Sequence, residues 1–352
     1  MGGIFSFPSV GIDNQSSHSL VCQSSSSQPS SIHVHDNRHG EEGSQSPQLC
    51  EVWKDIQGSQ NWNALLNPMD PILKVEALRY GEFIRVCYNA FNGERSSKYY
   101  STCRYSRREL LEKIGMSQCG YRTTKYIYVD TEVLGSSFCQ KSEERAIWLG
   151  FVAVCDNAKE IKRLGRRDIV VAWRGTQTTQ EWIQDLKDVR VPARLSYECQ
   201  RTTKDRHSSL PSANDGVRIE KGFLNFYTST MHEEEDCGGK RVTMSARDLV
   251  IAEIKRLLQV YKNEMENLSI TFTGHSLGAA LATLSAYDTK GLLRANHFID
   301  IHVKVFSFAS PRVGNLAFAR KVEEIGLKVL RFVNKWDVVP EVPGVFMNER
   351  MG

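Results

Sequence analysis

Gly274-His275-Ser276-Leu277-Gly278 reads Gly-x-Ser-x-Gly, a spacing that can lift a serine hydroxyl out of a tight turn and offer it as a nucleophile. Near neutral pH that hydroxyl is a poor nucleophile. It needs a base to take its proton, a carboxylate to orient the base, and N–H donors for the oxyanion. Asp337, within Asn334-Lys335-Trp336-Asp337-Val338-Val339-Pro340, is a carboxylate just past an apolar run, and Pro340 stops further strand pairing there. On position alone it could equally be a solvent-loop aspartate. The amide of Leu277 comes with the turn itself. Thr176, behind Arg174-Gly175, can add a second donor, although in isolation it reads as well as a helix cap. A pentapeptide this short can arise by chance, so its surroundings decide its weight.

Those surroundings are a strand and a helix. Leu268, Ile270 and Phe272 alternate with Ser269, Thr271 and Thr273, which predicts a short strand with one apolar face ending at Gly274. Gly278, Ala279, Ala280, Ala282 and Ala286 then keep the next helix small enough to pack close to the strand it just left. A strand, a tight turn and a close helix force Ser276 into an exposed, strained position, with Gly274 and Gly278 leaving room for the backbone. Further β-rich runs are Tyr126 to Val129, Trp148 to Val154, Asp168 to Trp173, His302 to Phe308 and Lys328 to Val333. Between them lie helical patterns. In the clearest, Ser245 and Asp248 suit a capping box ahead of an apolar face of Val250, Ile254, Leu257, Leu258 and Tyr261. Strands alternating with helices predict an α/β fold, a mostly parallel sheet covered on both faces, with its site at the carboxyl ends of the strands.

Composition narrows the remaining classes. The 352 residues can bury a large core, and 45 basic against 41 acidic residues leave a net charge of +4, which argues against a nucleic-acid partner. No apolar run is long enough to span a bilayer, so membrane contact would be peripheral. Nine scattered cysteines, without Cys-x-x-Cys or His at zinc spacing, predict free thiols and no metal site. Residues 1–50 hold thirteen serines, four acids and one basic residue, Arg38, and read as a disordered leader. Such a leader suggests an organelle transit peptide, although its acids are unusual for one. Met1-Gly2-Gly3-Ile4-Phe5-Ser6 also fits an N-myristoylation pattern. Residues 51–125 read as a helical segment and residues 126–352 as the core.

Trp173-Arg174-Gly175-Thr176, Glu181-Trp182-Ile183-Gln184-Asp185-Leu186, Gly222-Phe223-Leu224, the serine turn, Ser310-Pro311-Arg312-Val313-Gly314-Asn315 and the Asp337 loop resemble, in this order, the class 3 (fungal-type) lipases of the α/β-hydrolase superfamily. Glu51-Val52-Trp53-Lys54-Asp55-Ile56-Gln57-Gly58-Ser59, and Gly120-Tyr121 through Lys125-Tyr126-Ile127-Tyr128, are similar to the leading segment of the plant phospholipase A1 group. The resemblance implies hydrolysis of the sn-1 acyl ester of phospholipids, galactolipids or triacylglycerol, without metal or organic cofactor, at a membrane or lipid-droplet surface. It further implies Ser276 as nucleophile, Asp337 as the acid, Thr176 and Leu277 at the oxyanion hole, and a plastid location, with the cytoplasm as the alternative.

One departure stands out. Members of the family carry a histidine after the aspartate, and none of His18, His33, His35, His39, His207, His232, His275, His297 and His302 follows Asp337. The ring of His275 should point away from Ser276. The expectation is therefore a truncated product or partial gene model that lacks the end of the fold and is nearly inactive as written. A silent lipid-binding protein and an acyltransferase on the same fold are the alternatives. Residues 187–221, with eight basic and five acidic residues, read as a long lid-like loop, and Arg190, Arg194, Arg201, Lys204 and Arg206 could meet headgroup phosphates. They could equally be a solvated charge run.

Overall fold

The computed structural model describes residues 9–12, 48–130, 146–176, 189–193, 195, 216–235, 241–298 and 300–342. In chain order its strands and α-helices are β1 (Ser9–Ile12), α1 (Leu49–Ile56), α2 (Pro71–Ala90), α3 (Leu110–Lys113), β2 (Tyr121–Asp130), β3 (Ala146–Cys155), α4 (Ala158–Leu164), β4 (Arg167–Trp173), β5 (Arg190–Pro192), β6 (Arg218–Glu220), α5 (Lys221–Thr228), β7 (Thr230–Glu235), β8 (Arg241–Ser245), α6 (Ala246–Val260), β9 (Leu268–His275), α7 (Leu277–Ala295), β10 (His302–Phe308), α8 (Leu316–Glu324) and β11 (Lys328–Asn334). The main sheet runs β1-β11-β10-β9-β4-β3-β2. From β1 to β4 the pairs are parallel, and only β3 and β2 at one edge are antiparallel. This is the mostly parallel sheet of an α/β-hydrolase.

Local signals place several elements. Ser245 caps α6, accepting from the Asp248 amide at 3.1 Å while Asp248 returns a bond to the Ser245 amide at 2.9 Å. Asp70 caps α2 through the amides of Ile72 and Leu73 at 2.8 and 2.9 Å, and Pro71 fills the first turn, where no N–H is needed.

Other elements depart from expectation. The sheet begins at Tyr121 rather than Tyr126. Within the leader, Ser9–Ile12 pairs with β11, Ser9 opposite Arg331, so this stretch is not disordered. It supplies ladder partners to what would otherwise be an open edge, and four residues are too few to reveal themselves by periodicity. The remainder of the leader before residue 48, the myristoylation pattern included, lies outside the described residues.

The largest departure is in β9. Its supposed polar face is buried along with its apolar one, because the strand is central and α2 packs across it. Ser269 and Thr271 donate to Asp168 Oδ1 at 2.7 and 2.9 Å, and Tyr80 and Tyr121 donate to Asp168 Oδ2 at 3.0 and 2.9 Å. Arg166 and Arg79 bind Glu76 at 2.8 and 2.7 Å, and Lys304 stands 3.9 Å from Asp168. Burial pushes the Glu76 carboxyl up, but Arg79 and Arg166 outweigh it and hold the group at about 2. Asp168 is held well below the carboxylate range in the same way: Lys304, Arg166 and Arg79 overcome its burial. This charged layer fastens α2 to the amino ends of the central strands.

Candidate active site

Ser276 stands between β9 and α7 at φ 56° and ψ −125°, a region that L-residues rarely occupy. The neighbouring glycines do not share the positive φ; they allow close approach. A Cβ on Gly278 would fall 2.5 Å from the Trp173 carbonyl oxygen, and one on Gly274 would collide with the Gly278 carbonyl. Ala279, Ala280, Ala282 and Ala286 are buried, and Trp173 Nε1 donates to Ser285 Oγ at 3.1 Å, so α7 lies directly on β4. The Ser276 amide donates to the Phe308 carbonyl at 3.0 Å, which pins the turn to β10.

The strain is as expected, whereas the exposure is not. Ser276 is 1% exposed, and its Oγ has no hydrogen-bond partner among the described residues. α2 brings Ile84 and Tyr88 beside the strand ends next to the serine turn. Together with Thr176, His275 and Phe308 they line a cavity of about 770 Å³.

Thr176 is 8% exposed, with its Oγ1 also unpartnered among the described residues. Its loop and the serine turn touch: a Cβ on Gly175 would lie 2.6 Å from the His275 carbonyl oxygen and would collide with Tyr88 Oη. Leu277 opens α7, so its amide has no partner inside the helix, and the positive end of the helix dipole faces the same space.

Two residues overlooked in the sequence hold this arrangement. Gly175 lies against Tyr88 Oη, and Tyr88 Oη lies 2.9 Å from His275 Nδ1, so one hydroxyl bridges the Thr176 loop and the serine turn. Arg174 is buried against the Phe91 ring and donates to the Gly175 carbonyl at 2.9 Å. Burial lowers its pKa to about 10, which leaves it charged near neutrality. No local pattern marks Tyr88, since its partner lies 187 residues away.

Asp337 follows β11, two strand spacings or roughly 10 Å from the serine strand. Its Oδ1 accepts from the Val339 amide at 3.0 Å. Burial lowers the His275 pKa below its ordinary value, with the Asp337 charge partly opposing it. None of the described histidines bonds to Ser276. His275 is turned to Tyr88, His302 packs edge-on against Trp53, and His297 is exposed.

A sequence model of the class 3 lipases matches residues 170–347. Phospholipase A1-Igamma1, chloroplastic, of Arabidopsis thaliana is 41% identical over 324 residues, covering 89% of this chain and 59% of its own length. Phospholipase A(1) DAD1, chloroplastic, of the same plant is 42% identical over 324 residues, covering 90% of this chain and 67% of itself. The chain belongs to the class 3 lipase family. Galactolipase DONGLE, chloroplastic, also of Arabidopsis thaliana, is 41% identical over 304 residues, covering 86% of this chain and 60% of its own length. The chain thus spans under two thirds of the length of Igamma1 and of the galactolipase.

In this class 3 lipase the ends of the lid-like loop are not loop. Arg190 and Glu220 pair across β5 and β6, so an antiparallel ribbon brings the two limbs together. Arg190 sits half-buried in that ribbon, while Arg194, Arg201, Lys204 and Arg206 lie outside the described residues, as do His207 and the Glu181 to Leu186 motif. The Ser310 to Asn315 motif clasps the ribbon. Asn315 Oδ1 accepts from the Arg218 and Phe318 amides at 3.1 and 3.0 Å, and the Glu220 amide donates to the Val313 carbonyl at 2.9 Å. Beside Asp337, Trp336 and Val338 are 76% and 63% exposed.

Proposed function

We propose that this protein hydrolyses acyl esters of glycerolipids, with Ser276 as nucleophile, the amides of Leu277 and Thr176 as oxyanion donors and Asp337 as the carboxylate that orients the base. One observation carries the reading: two buried hydroxyls, Ser276 Oγ and Thr176 Oγ1, have no partner among the described residues at the one end of the sheet where two loops are held in contact. Leaving polar groups unsatisfied in a buried space costs about 1–3 kcal/mol each, a cost that an arriving ester carbonyl would offset. The roughly 10 Å between the serine and aspartate strands is the span an intervening imidazole would bridge.

In the reaction, Ser276 Oγ attacks the ester carbonyl as its proton passes to the base. The oxyanion sits on the two amides, and the alcohol leaves with that proton. Water then attacks the acyl-serine and releases the fatty acid, restoring the hydroxyl. Ile84 and Phe308 give the neighbouring cavity an apolar side that suits an acyl chain, with Arg85, Tyr88, Thr176 and His275 also in the wall. Exposed Trp336 and Val338 beside Asp337 suit peripheral contact with a lipid surface. The phospholipase and galactolipase names of the relatives favour polar glycerolipids cut at the sn-1 ester, and their chloroplastic designations favour the plastid.

The test is fatty-acid release from phosphatidylcholine and from monogalactosyldiacylglycerol, each labelled at sn-1, by the protein and by its Ser276→Ala variant. Release that depends on Ser276 is expected, with free fatty acid as product even when an alcohol acceptor is added. Equal slow release by both proteins overturns the assignment, and transfer to the alcohol replaces hydrolysis with acyl transfer.

A further inference from the structure

A second cavity, of about 620 Å³, opens at the far edge of the sheet between β2, α6 and the loop ahead of α3. Its wall is dominated by cations. Arg107 and Arg108 come from the loop, Arg122 and Lys125 from the edge strand, and Arg256 from α6. Asp156 holds Arg122 at 2.7 Å and Glu253 holds Arg256 at 2.7 Å, which fixes two of the guanidiniums in place. Arg107, Arg108 and Lys125 form no ion pair with any described residue, so five cations meet only two carboxylates.

The backbone of β2 is bent to build this wall. Register slips between Thr123 and Lys125, which face Ala153 and Val152 in turn, and the bulge at Thr124 lets consecutive residues of one strand line the same cavity. A regular strand would send every second one to the opposite face. Thr123 is 5% exposed, lines the cavity, and its Oγ1 has no hydrogen-bond partner among the described residues. A buried hydroxyl without a partner among the described residues, beside the free guanidiniums of Arg107 and Arg108, makes a donor set for an acceptor.

We propose that this cavity is a binding site for a phosphoryl group, taken as a phosphate monoester or inorganic phosphate. Arginine forks and a hydroxyl converging from a loop, a strand and a helix suit a compact, multiply charged oxyanion. None of the lining residues is aromatic, so a nucleobase finds no stacking platform. Three strand spacings and about five residues of rise separate the cavity from Ser276, roughly 20 Å, so its ligand is not the headgroup of the ester being cut. The site stands whether or not Ser276 is a nucleophile.

The test uses the full chain carrying Ser276→Ala, so that lipid is not consumed. Inorganic phosphate is titrated calorimetrically, and cosedimentation is measured with phosphatidylcholine vesicles and with equimolar phosphatidylcholine and phosphatidic acid vesicles. Saturable phosphate binding is expected, weakened at least about tenfold by Arg107→Gln/Arg108→Gln/Lys125→Gln. Thr123→Val should weaken it severalfold with an unchanged melting temperature, which keeps the question open to a decisive answer if the triple variant folds poorly. Loss of acidic-vesicle binding in the same variants assigns the phosphoryl group to a lipid headgroup. Loss confined to the phosphate arm assigns it to the free anion. No saturable phosphate binding, or binding equal in the wild-type and Thr123→Val backgrounds, overturns the site.

Discussion

The two ends of the same parallel strands treat polar groups in opposite ways. At the amino end of β4 and β9, Asp168 accepts from four hydroxyls and Glu76 is bound by two guanidiniums. At the carboxyl end, Ser276 Oγ and Thr176 Oγ1 are as deeply buried and bond to no described residue. Carboxylates satisfied at one end and hydroxyls left open at the other separate a region that holds the fold from one that waits for a ligand. In the charged layer, Lys304 Nζ relies on the charge of Asp168 at 3.9 Å and makes no hydrogen bond to a described residue.

Four measurements would break or sharpen that contrast. The greatest effect belongs to Ser276→Ala, expected to abolish formation of the acyl-serine intermediate, read by mass spectrometry, while leaving the urea midpoint unchanged or slightly raised, because the change removes an unsatisfied hydroxyl. A large loss of stability would mean that the carboxyl end also holds the fold. Next comes Asp168→Asn, which leaves Lys304 and Arg79 without their carboxylate; about 3–5 kcal/mol of unfolding free energy should be lost, with activity per folded molecule little changed. If activity vanished while stability held, the two ends would have exchanged roles.

The acid limb of stability gives the third. Glu76 titrates at about 2 when folded against 4.5 as its ordinary value, so its contribution is complete above about pH 4.5 and is lost as pH falls toward 2. That difference is on the order of 3 kcal/mol. Glu76→Gln should flatten the fall in melting temperature between those pH values, and an unaltered profile would remove Glu76 from the clamp. The smallest effect is that of Tyr88→Phe, which removes the tie between the Thr176 loop and the serine turn. A drop of about fivefold in kcat with KM nearly constant is expected. An effect on KM alone would make Tyr88 part of the cavity wall rather than a positioning residue.

Features with local causes were legible in the sequence. The Ser245 capping box and the small-residue surface of α7 each act over a few residues, and the structure contains both. The strain at Ser276 was also legible, because a strand, one residue and a helix leave few backbone routes. What escaped was set by distant partners. Ser269 and Thr271 look like a solvent face until Asp168, 101 and 103 residues earlier, is placed against them. The cavity wall beside the serine turn depends on α2, which belongs to a segment that sequence reading set apart from the core. Tyr88 carried no signal because a tyrosine near a helix end is ordinary.

α2 reaches both ends at once, with Glu76 and Tyr80 in the charged layer and Tyr88 two turns further along at the serine turn. The cap and the sheet therefore cannot be exchanged independently. A lineage that replaced the segment ahead of β2 would have to rebuild the cradle of Asp168 and the tether of Gly175 in the same step. A protease that cut between Tyr80 and Tyr88 would leave the sheet clamped at its base and its serine turn unmoored.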